Sequence, residues 1–112
     1  MTTAVVDVTV DDGNVRIAVA GEVDLANAAA VEDQIVAAIT NQATSVSVDL
    51  GEVDYMDSAG MRLLFSLASR MAGLQIALEV VAPVGSSARR LVEVSGLPSF
   101  VALRPPLDRA AG

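Results

Sequence analysis

Apolar positions recur along this chain with two different periods. Val6, Val8 and Val10 alternate with Asp7 and Thr9, and Val15, Ile17 and Val19 alternate with Arg16, Ala18 and Ala20. Alternation puts the apolar side chains on one face of an extended backbone, so both segments are predicted strands. Asp11-Asp12-Gly13-Asn14 between them is a turn signal. The pair is predicted to form a hairpin, with Gly21 closing the second strand. From Leu25 to Thr40 the period becomes helical, carried by Leu25, Ala28, Val31, Ile35, Ala38 and Ile39, with Glu32 and Asn41 off that face. Asp24 is the expected N-cap, its carboxylate accepting first-turn amides and stabilising the helix by roughly 0.5–2 kcal/mol.

Alternation returns in Ser45–Leu50, the third strand, and Gly51–Met56 is expected to connect it onward. A second helix is predicted over Ser58–Ala72 with Gly73 as its stop. Gln75–Ala82 is a fourth strand ended by Pro83. Ser86 or Ser87 caps a third helix that runs through Val94 and stops at Gly96, and Phe100–Leu103 is a short last strand. This order predicts an α/β fold: a mixed sheet of four to five strands, opened by a β-hairpin and packed with about three helices through parallel crossovers. No repeat or linker divides the chain, so residues 1–112 read as one domain, with a core over about 4–103 and a loose tail over 104–112.

The core must be aliphatic. Apolar residues make up 53% of the chain, but its only aromatic residues are Tyr55, Phe65 and Phe100. The net charge is −7 and every basic residue is arginine. Such an acidic chain is a poor ligand for nucleic acid or for an anionic membrane surface, both of which require clustered cations. There is no cysteine, so disulfide and thiolate chemistry are absent. No cationic stretch with an apolar run stands near the start, so no signal peptide is expected, and the apolar stretch Met71–Leu78 falls well short of the roughly 20 residues that span a bilayer. The expected location is the cytoplasm.

Missing residue types narrow the chemistry further. The chain has no His, no Cys and no Lys. A serine nucleophile lacks its usual base, a phosphate-binding P-loop lacks its lysine, and no imidazole or thiolate is available for a metal. The expectation is a protein that is not an enzyme and carries no cofactor or metal.

The segment that draws attention is Val53-Asp54-Tyr55-Met56-Asp57-Ser58-Ala59-Gly60-Met61. It lies just after a strand and opens a helix, the crevice where ligands and partners usually meet an open α/β sheet. Asp57 or Ser58 is the expected N-cap, and Ala59 and Gly60 keep the first turn small. A phosphate on Ser58 would add roughly −1.5 to −2 charges. A helix N-terminus tolerates an anion, so the fold would survive. A partner burying that turn would instead have to desolvate a dianion, beside Asp57 and Asp54 and on the edge expected to hold Asp24. Modification here would switch binding rather than folding.

Three motifs resemble one family. Gly21-Glu22-Val23-Asp24-Leu25 is similar to the opening motif of STAS domains, Asp57-Ser58-Ala59-Gly60-Met61 to their phosphorylation motif, and Arg90-Leu91-Val92-Glu93-Val94-Ser95-Gly96-Leu97 to the segment around their last helix. The resemblance covers about residues 4–103 and implies an anti-sigma factor antagonist of bacterial stress and transcription control. Family members bind an anti-sigma factor that is a serine kinase and so free a sigma factor. The kinase then phosphorylates the serine matching Ser58 and dissolves the complex, and a phosphatase restores it. The resemblance makes Ser58 the phosphorylation site and Asp24, Asp57, Ala59, Gly60, Met61, Arg62 and Ser66 the partner surface, on a helix face that continues to Ser69 and Arg70. Arg62 departs from the family, many of whose members carry a small residue there. One turn from Ser58, it could pair with a phosphate. A free antagonist of this size is expected to be monomeric.

Plainer readings stand beside each of these. In these, Ser58 is a helix cap alone, the Arg62–Arg70 stripe a solvated face, and Met56 and Met61 core fillers. Arg89 and Arg90 read as a solvated face with Glu93. Two rival functions remain: a phosphorylation-independent STAS scaffold in a stress-signalling or lipid-transport complex, and a nucleotide or anion sensor at the Ser58 helix N-terminus.

Overall fold

The computed structural model describes residues 3–106. Its elements are β1 (Ala4–Asp11), β2 (Asn14–Val23), α1 (Ala28–Ala38), β3 (Ser45–Met56), α2 (Ser58–Gly73), β4 (Ala77–Val81), α3 (Ser87–Ser95), a 3-10 turn (Leu97–Ser99) and β5 (Ala102–Arg104). Asp12 and Gly13 turn the β1–β2 hairpin at φ of 50° and 88°. Two consecutive positive φ values make the tight turn whose twist matches the strands it joins.

The five strands lie in chain order, with β1 antiparallel to β2 and every later pair parallel. Each parallel crossover therefore steps one strand in the same direction. Right-handed crossovers that all step one way put all their helices on one face. The core shows this: Val15, Ile17 and Val19 of β2, Val46, Val48 and Leu50 of β3, and Val80 of β4 are buried with Ile35 of α1, Leu64 and Leu67 of α2, and Val92 of α3. The opposite face alternates out of register with that core and carries Arg16, Ala18, Ser47, Asp49, Glu79 and Arg104 around shallow hollows. A strand order that never reverses has no switch point. The Ser58 junction stands on the open carboxyl edge of β2 and β3.

Several element ends differ from the sequence reading. α1 starts at Ala28, not Leu25, and ends at Ala38. β3 continues through Gly51–Met56, which is not a connector. The reason is a pair of register shifts against β2, between Ala18 and Ala20 and between Gly21 and Glu22, each placing one extra residue in β3. Such bulges destroy period-two alternation and bend the strand. After the second, Met56 lies beside Val23 again, on the core side. Gly21 does not close β2 but sits inside it at φ 96°, where a Cβ would stand 2.3 Å from the Thr3 carbonyl oxygen. Gly73 is the last residue of α2, and the left-handed turn falls on Gln75 (φ 59°), which delays β4 to Ala77. Phe100 ends the 3-10 turn, so β5 begins at Ala102. Arg104 is not tail: its carbonyl accepts the Ala82 amide at 3.0 Å and its side chain meets Glu79 at 2.9 Å. The rest of the expected tail, from 107 on, lies outside the described residues. α3 follows the sequence reading, with Ser86 as N-cap and Gly96 at φ 89° as the stop.

Candidate functional site

Two strand ends build the site. Glu22 pairs with Tyr55 and Val23 with Met56, so β2 and β3 finish side by side. The Asp57 amide donates to the Val23 carbonyl at 3.3 Å, which carries the alignment one residue further. Asp24 and Asp57 thus leave the sheet next to each other, on one edge.

Asp57 is the N-cap of α2. Its Oδ1 accepts the Ala59 amide at 2.8 Å and the Gly60 amide at 3.4 Å. Ser58 is the first helical residue. It is exposed, and its hydroxyl makes no hydrogen bond among the described residues. Of the two cap candidates the structure chooses Asp57, leaving the Ser58 hydroxyl without a capping duty. Gly60 is buried beneath this turn, where a Cβ would meet Met56 Cγ at 2.3 Å and Val23 Cγ1 at 3.3 Å. The missing side chain lets α2 settle onto the ends of β2 and β3 with Met56 and Val23 in their present places.

Asp24 differs from its expected role. It does not cap a helix at Leu25. Its Oδ1 accepts the Ala26 amide at 2.9 Å in a local turn, and Asn27 holds the N-cap position without capping α1. Asn27 Oδ1 accepts the Asp24 amide at 3.0 Å, while Asn27 Nδ2 donates to the Glu22 carbonyl at 2.8 Å. These side chains fasten the β2–α1 loop to itself. Leu25, released from the helix, is 81% exposed.

The other predicted site residues divide. Ala59 is half-buried, Arg62 and Ser69 are exposed, and Met61 is 6% exposed within the core, where its side chain is closed to a partner. Ser66 also departs from the open stripe: its hydroxyl donates to Glu32 Oε2 at 2.7 Å, and Arg70 meets the same oxygen at 3.4 Å. These contacts seal α2 against α1 and leave Arg62 as the stripe's cation nearest Ser58. Arg62 forms no ion pair among the described residues. Arg89 is not a simple solvated side chain, because Nη1 donates to the Ala82 carbonyl at 2.9 Å while Nε meets Glu93 at 3.4 Å.

Some of the surface was not foreseen. Tyr55 is 51% exposed at the end of β3 and Val84 is 77% exposed in the loop after β4, so with Leu25 the carboxyl edge carries apolar side chains beside its acids. Leu25 carried the helical period in the sequence, and Val84 lies in the loop between Pro83 and Ser86, where an apolar residue gives no sign of which way it faces. Asn27 could have been found, since Asn competes with Asp for cap and loop positions. Among the described residues the hollows of about 440, 420 and 430 Å³ lie against Phe100 or on the bare sheet face, away from Ser58. No helix among the described residues is long and apolar enough to cross a membrane.

Comparison with known proteins agrees with this architecture. A family model described as "Mlab, STAS domain" matches residues 6–104. The anti-sigma-F factor antagonist RsfB of Mycobacterium tuberculosis is 33% identical over 94 residues, 82% of this chain and 75% of that one. The putative anti-sigma factor antagonist BtrV of Bordetella bronchiseptica is 30% identical over 100 residues, 89% of this chain and 85% of its own. The crystal structure of an anti-sigma factor antagonist from Mycobacterium paratuberculosis superposes with a TM-score of 0.83 at 28% identity, covering 97% of this chain and 92% of that one. With the family model and these relatives in agreement, this chain belongs to the STAS domain family, among the anti-sigma factor antagonists.

Proposed function

We propose that this chain acts by binding, as an antagonist that captures an anti-sigma factor and so releases a sigma factor, and that phosphorylation of Ser58 by that anti-sigma factor ends the capture. The observation that carries the reading is the exposed Ser58 hydroxyl at the first position of α2, with the adjacent amides already taken by Asp57. The partner surface comprises Asp24, Asp57, Ser58, Ala59 and Arg62, while Gly60 and Met61 shape it from beneath.

The cap geometry sharpens the switch. A phosphate on Ser58 would find the Ala59 and Gly60 amides occupied by a carboxylate. It would gain little from the helix end and would stand beside Asp57 as an unneutralised dianion. Arg62, one turn along, is the cation placed to moderate it. The same occupied amides weigh against the anion-sensor reading, since the helix N-terminus holds its own anion. No observation favours the scaffold reading.

The test uses a candidate serine-kinase anti-sigma factor, ATP, and mass spectrometry of the full chain. Phosphate is expected on Ser58 alone. Ser58→Ala is expected to bind the anti-sigma factor about as well as the parent chain. Ser58→Asp is expected to bind about two orders of magnitude more weakly, the equivalent of about 3 kcal/mol for burying an unpaired charge. Tight binding by Ser58→Asp, or labelling elsewhere, overturns the reading.

A further inference from the structure

β1 is the end strand of the sheet, and its outer edge has no partner strand among the described residues. The backbone groups on that edge follow from the hairpin. The two-residue turn makes Asp11 and Asn14 a hydrogen-bonded pair, and the Glu22 amide donates to the Thr3 carbonyl at 2.9 Å at the far end of the same ladder. The odd residues of β1 therefore bond β2. The amides and carbonyls of Ala4, Val6, Val8 and Val10 point away from the sheet.

The same even residues place their side chains on the helix face, because they pair with Gly21, Val19, Ile17 and Val15. Ala4 and Val6 are packed against the core. Val8 is 42% and Val10 60% exposed. One strand thus presents unpaired backbone groups and uncovered valines at the same residues. It lacks the lysine or proline with which edge strands commonly block association.

We propose that this edge pairs with the same edge of a second copy, antiparallel about a two-fold axis through Val8, to form a continuous ten-stranded sheet from two chains of five strands. The charges select the register. Centring on Asp7 opposes two Asp7 carboxylates, and centring on Thr9 opposes Asp7 with Asp11; like charges directly across a ladder destabilise it. Centring on Val6 leaves Val10 beyond the described strand of the second copy. Centring on Val8 pairs Val8 with Val8 and Val6 with Val10, closes about six hydrogen bonds between chains, and sets Asp7 against Thr9 and Asp11 against Val5. Both exposed valines then lie in a shared apolar strip on the helix face. The arrangement is isologous and closed, so it ends at two copies. It replaces the expectation of a monomer drawn from chain size.

The two-fold axis reverses the second sheet, so the carboxyl edges of β2 and β3, each with its Ser58, point to opposite ends of the pair. The dimer leaves both partner surfaces open. Self-association and partner capture are independent, and failure of one does not imply failure of the other.

Sedimentation equilibrium of the full chain from ~1 µM to ~1 mM is the first test. The mass is expected to rise from 11.5 kDa towards twice that value. Because each chain carries −7, association should strengthen several-fold from about 0.05 M to about 0.5 M salt as repulsion is screened. Val8→Pro deletes an outward amide while sparing the β1–β2 ladder. It should weaken association at least ~10-fold, and so should Val8→Lys, which opposes two ammonium groups at the axis. Thr9→Lys sets an ammonium opposite Asp7 and should tighten association about threefold at low salt, relative to Val94→Lys as a charge-matched control on α3. In a mixed isotope-labelled sample, a short Hα–Hα contact between Asp7 of one chain and Thr9 of the other is expected, and the amides of Val6, Val8 and Val10 should gain protection with concentration. A constant 11.5 kDa mass at all concentrations overturns the proposal. So does association that survives both Val8 variants, or protection of those amides that appears only when a different protein is added, which would assign the edge to another chain's strand.

Discussion

α1 and α2 start from the same edge of the sheet, past the ends of neighbouring strands, yet their first turns are held differently. At α2 one carboxylate, Asp57, accepts two amides of the helix itself. At α1 the corresponding position, Asn27, makes no capping bond to the helix and turns back to Asp24 and Glu22. In the first case the side chain fixes the helix, and in the second it fixes the loop. The helix that begins at Ser58 is thereby anchored by Asp57 without drawing on the Ser58 hydroxyl, so a modified Ser58 can alter binding while the turn beneath it keeps its shape.

The largest test of that anchoring is Gly60→Val. Its side chain would have to enter the space of Met56 Cγ, 2.3 Å from the nearest added carbon, with Val23 close behind. Overpacking of this kind typically costs 1–3 kcal/mol, and a branched residue falls at the upper end, so a loss of about 3 kcal/mol is expected. For a domain of this length that lowers Tm by more than ~10 °C. Adding Met56→Ala should recover about 1 kcal/mol by clearing the nearest atom, a coupling expected only between residues in contact. Thermal unfolding of the two single variants and the double variant decides it. If Gly60→Val is neutral, the tight seating of α2 on the strand ends is not what positions Ser58.

Next in size is the cap itself. Asp57→Ala should cost about 1–2 kcal/mol, and Asp57→Asn, which keeps an acceptor oxygen, about 0.5 kcal/mol or less. Amide exchange is the sharper measurement, with Ala59 and Gly60 expected to lose protection in Asp57→Ala. Asn27→Ala should cost about 1 kcal/mol through its loop bonds. There the Asp24 amide should lose protection while the first turn of α1 keeps most of its own. Equal fraying of both helices would erase the contrast drawn between them.

How far the sequence disclosed this arrangement depended on whether a signal was local. Val15, Ile17 and Val19 alternate because β2 has one buried face, and Ser86 and Gly96 bound α3 through bonds within a few residues of themselves. Those features could be read directly. The continuation of β3 could not, because its two bulges are set by pairing with β2, and Leu50-Gly51-Glu52-Val53-Asp54-Tyr55 carries no alternation to reveal them. The start of α1 at Ala28 differs from the sequence reading for a related reason. Asp24 and Asn27 are both competent caps, and only the carbonyl of Glu22, positioned by the sheet, decides what Asn27 bonds. At the site, Ser58 and Asp57 stood out by their place between strand and helix. The burial of Met61 and the engagement of Ser66 came from α2 packing on α1 and the sheet, which spacing along one helix does not contain.

The smallest expected effect concerns the far end of the α1–α2 contrast, where one carboxylate joins the two helices. Glu32 Oε2 accepts the Ser66 hydroxyl and meets Arg70 Nε, with the Glu32 side chain 20% and the Arg70 side chain 55% exposed. Half-exposed ion pairs are screened by water and salt, so the Arg70 coupling should amount to about 0.3–0.5 kcal/mol. The Ser66 bond is charge-assisted, shorter and less exposed, and should carry more, about 1 kcal/mol. Double-mutant cycles of Glu32→Gln with Ser66→Ala and with Arg70→Ala, repeated at about 0.5 M salt, separate the two: the arginine coupling should fade with salt and the serine coupling should persist. If Glu32 truly sets α2 against α1, Glu32→Gln should loosen the seam without exposing the Asp57 cap, because that cap draws on its own helix alone. Loss of protection at Ala59 and Gly60 in Glu32→Gln would instead mean that the start of α2 is held from its middle, and the independence assigned to the Ser58 turn would fail.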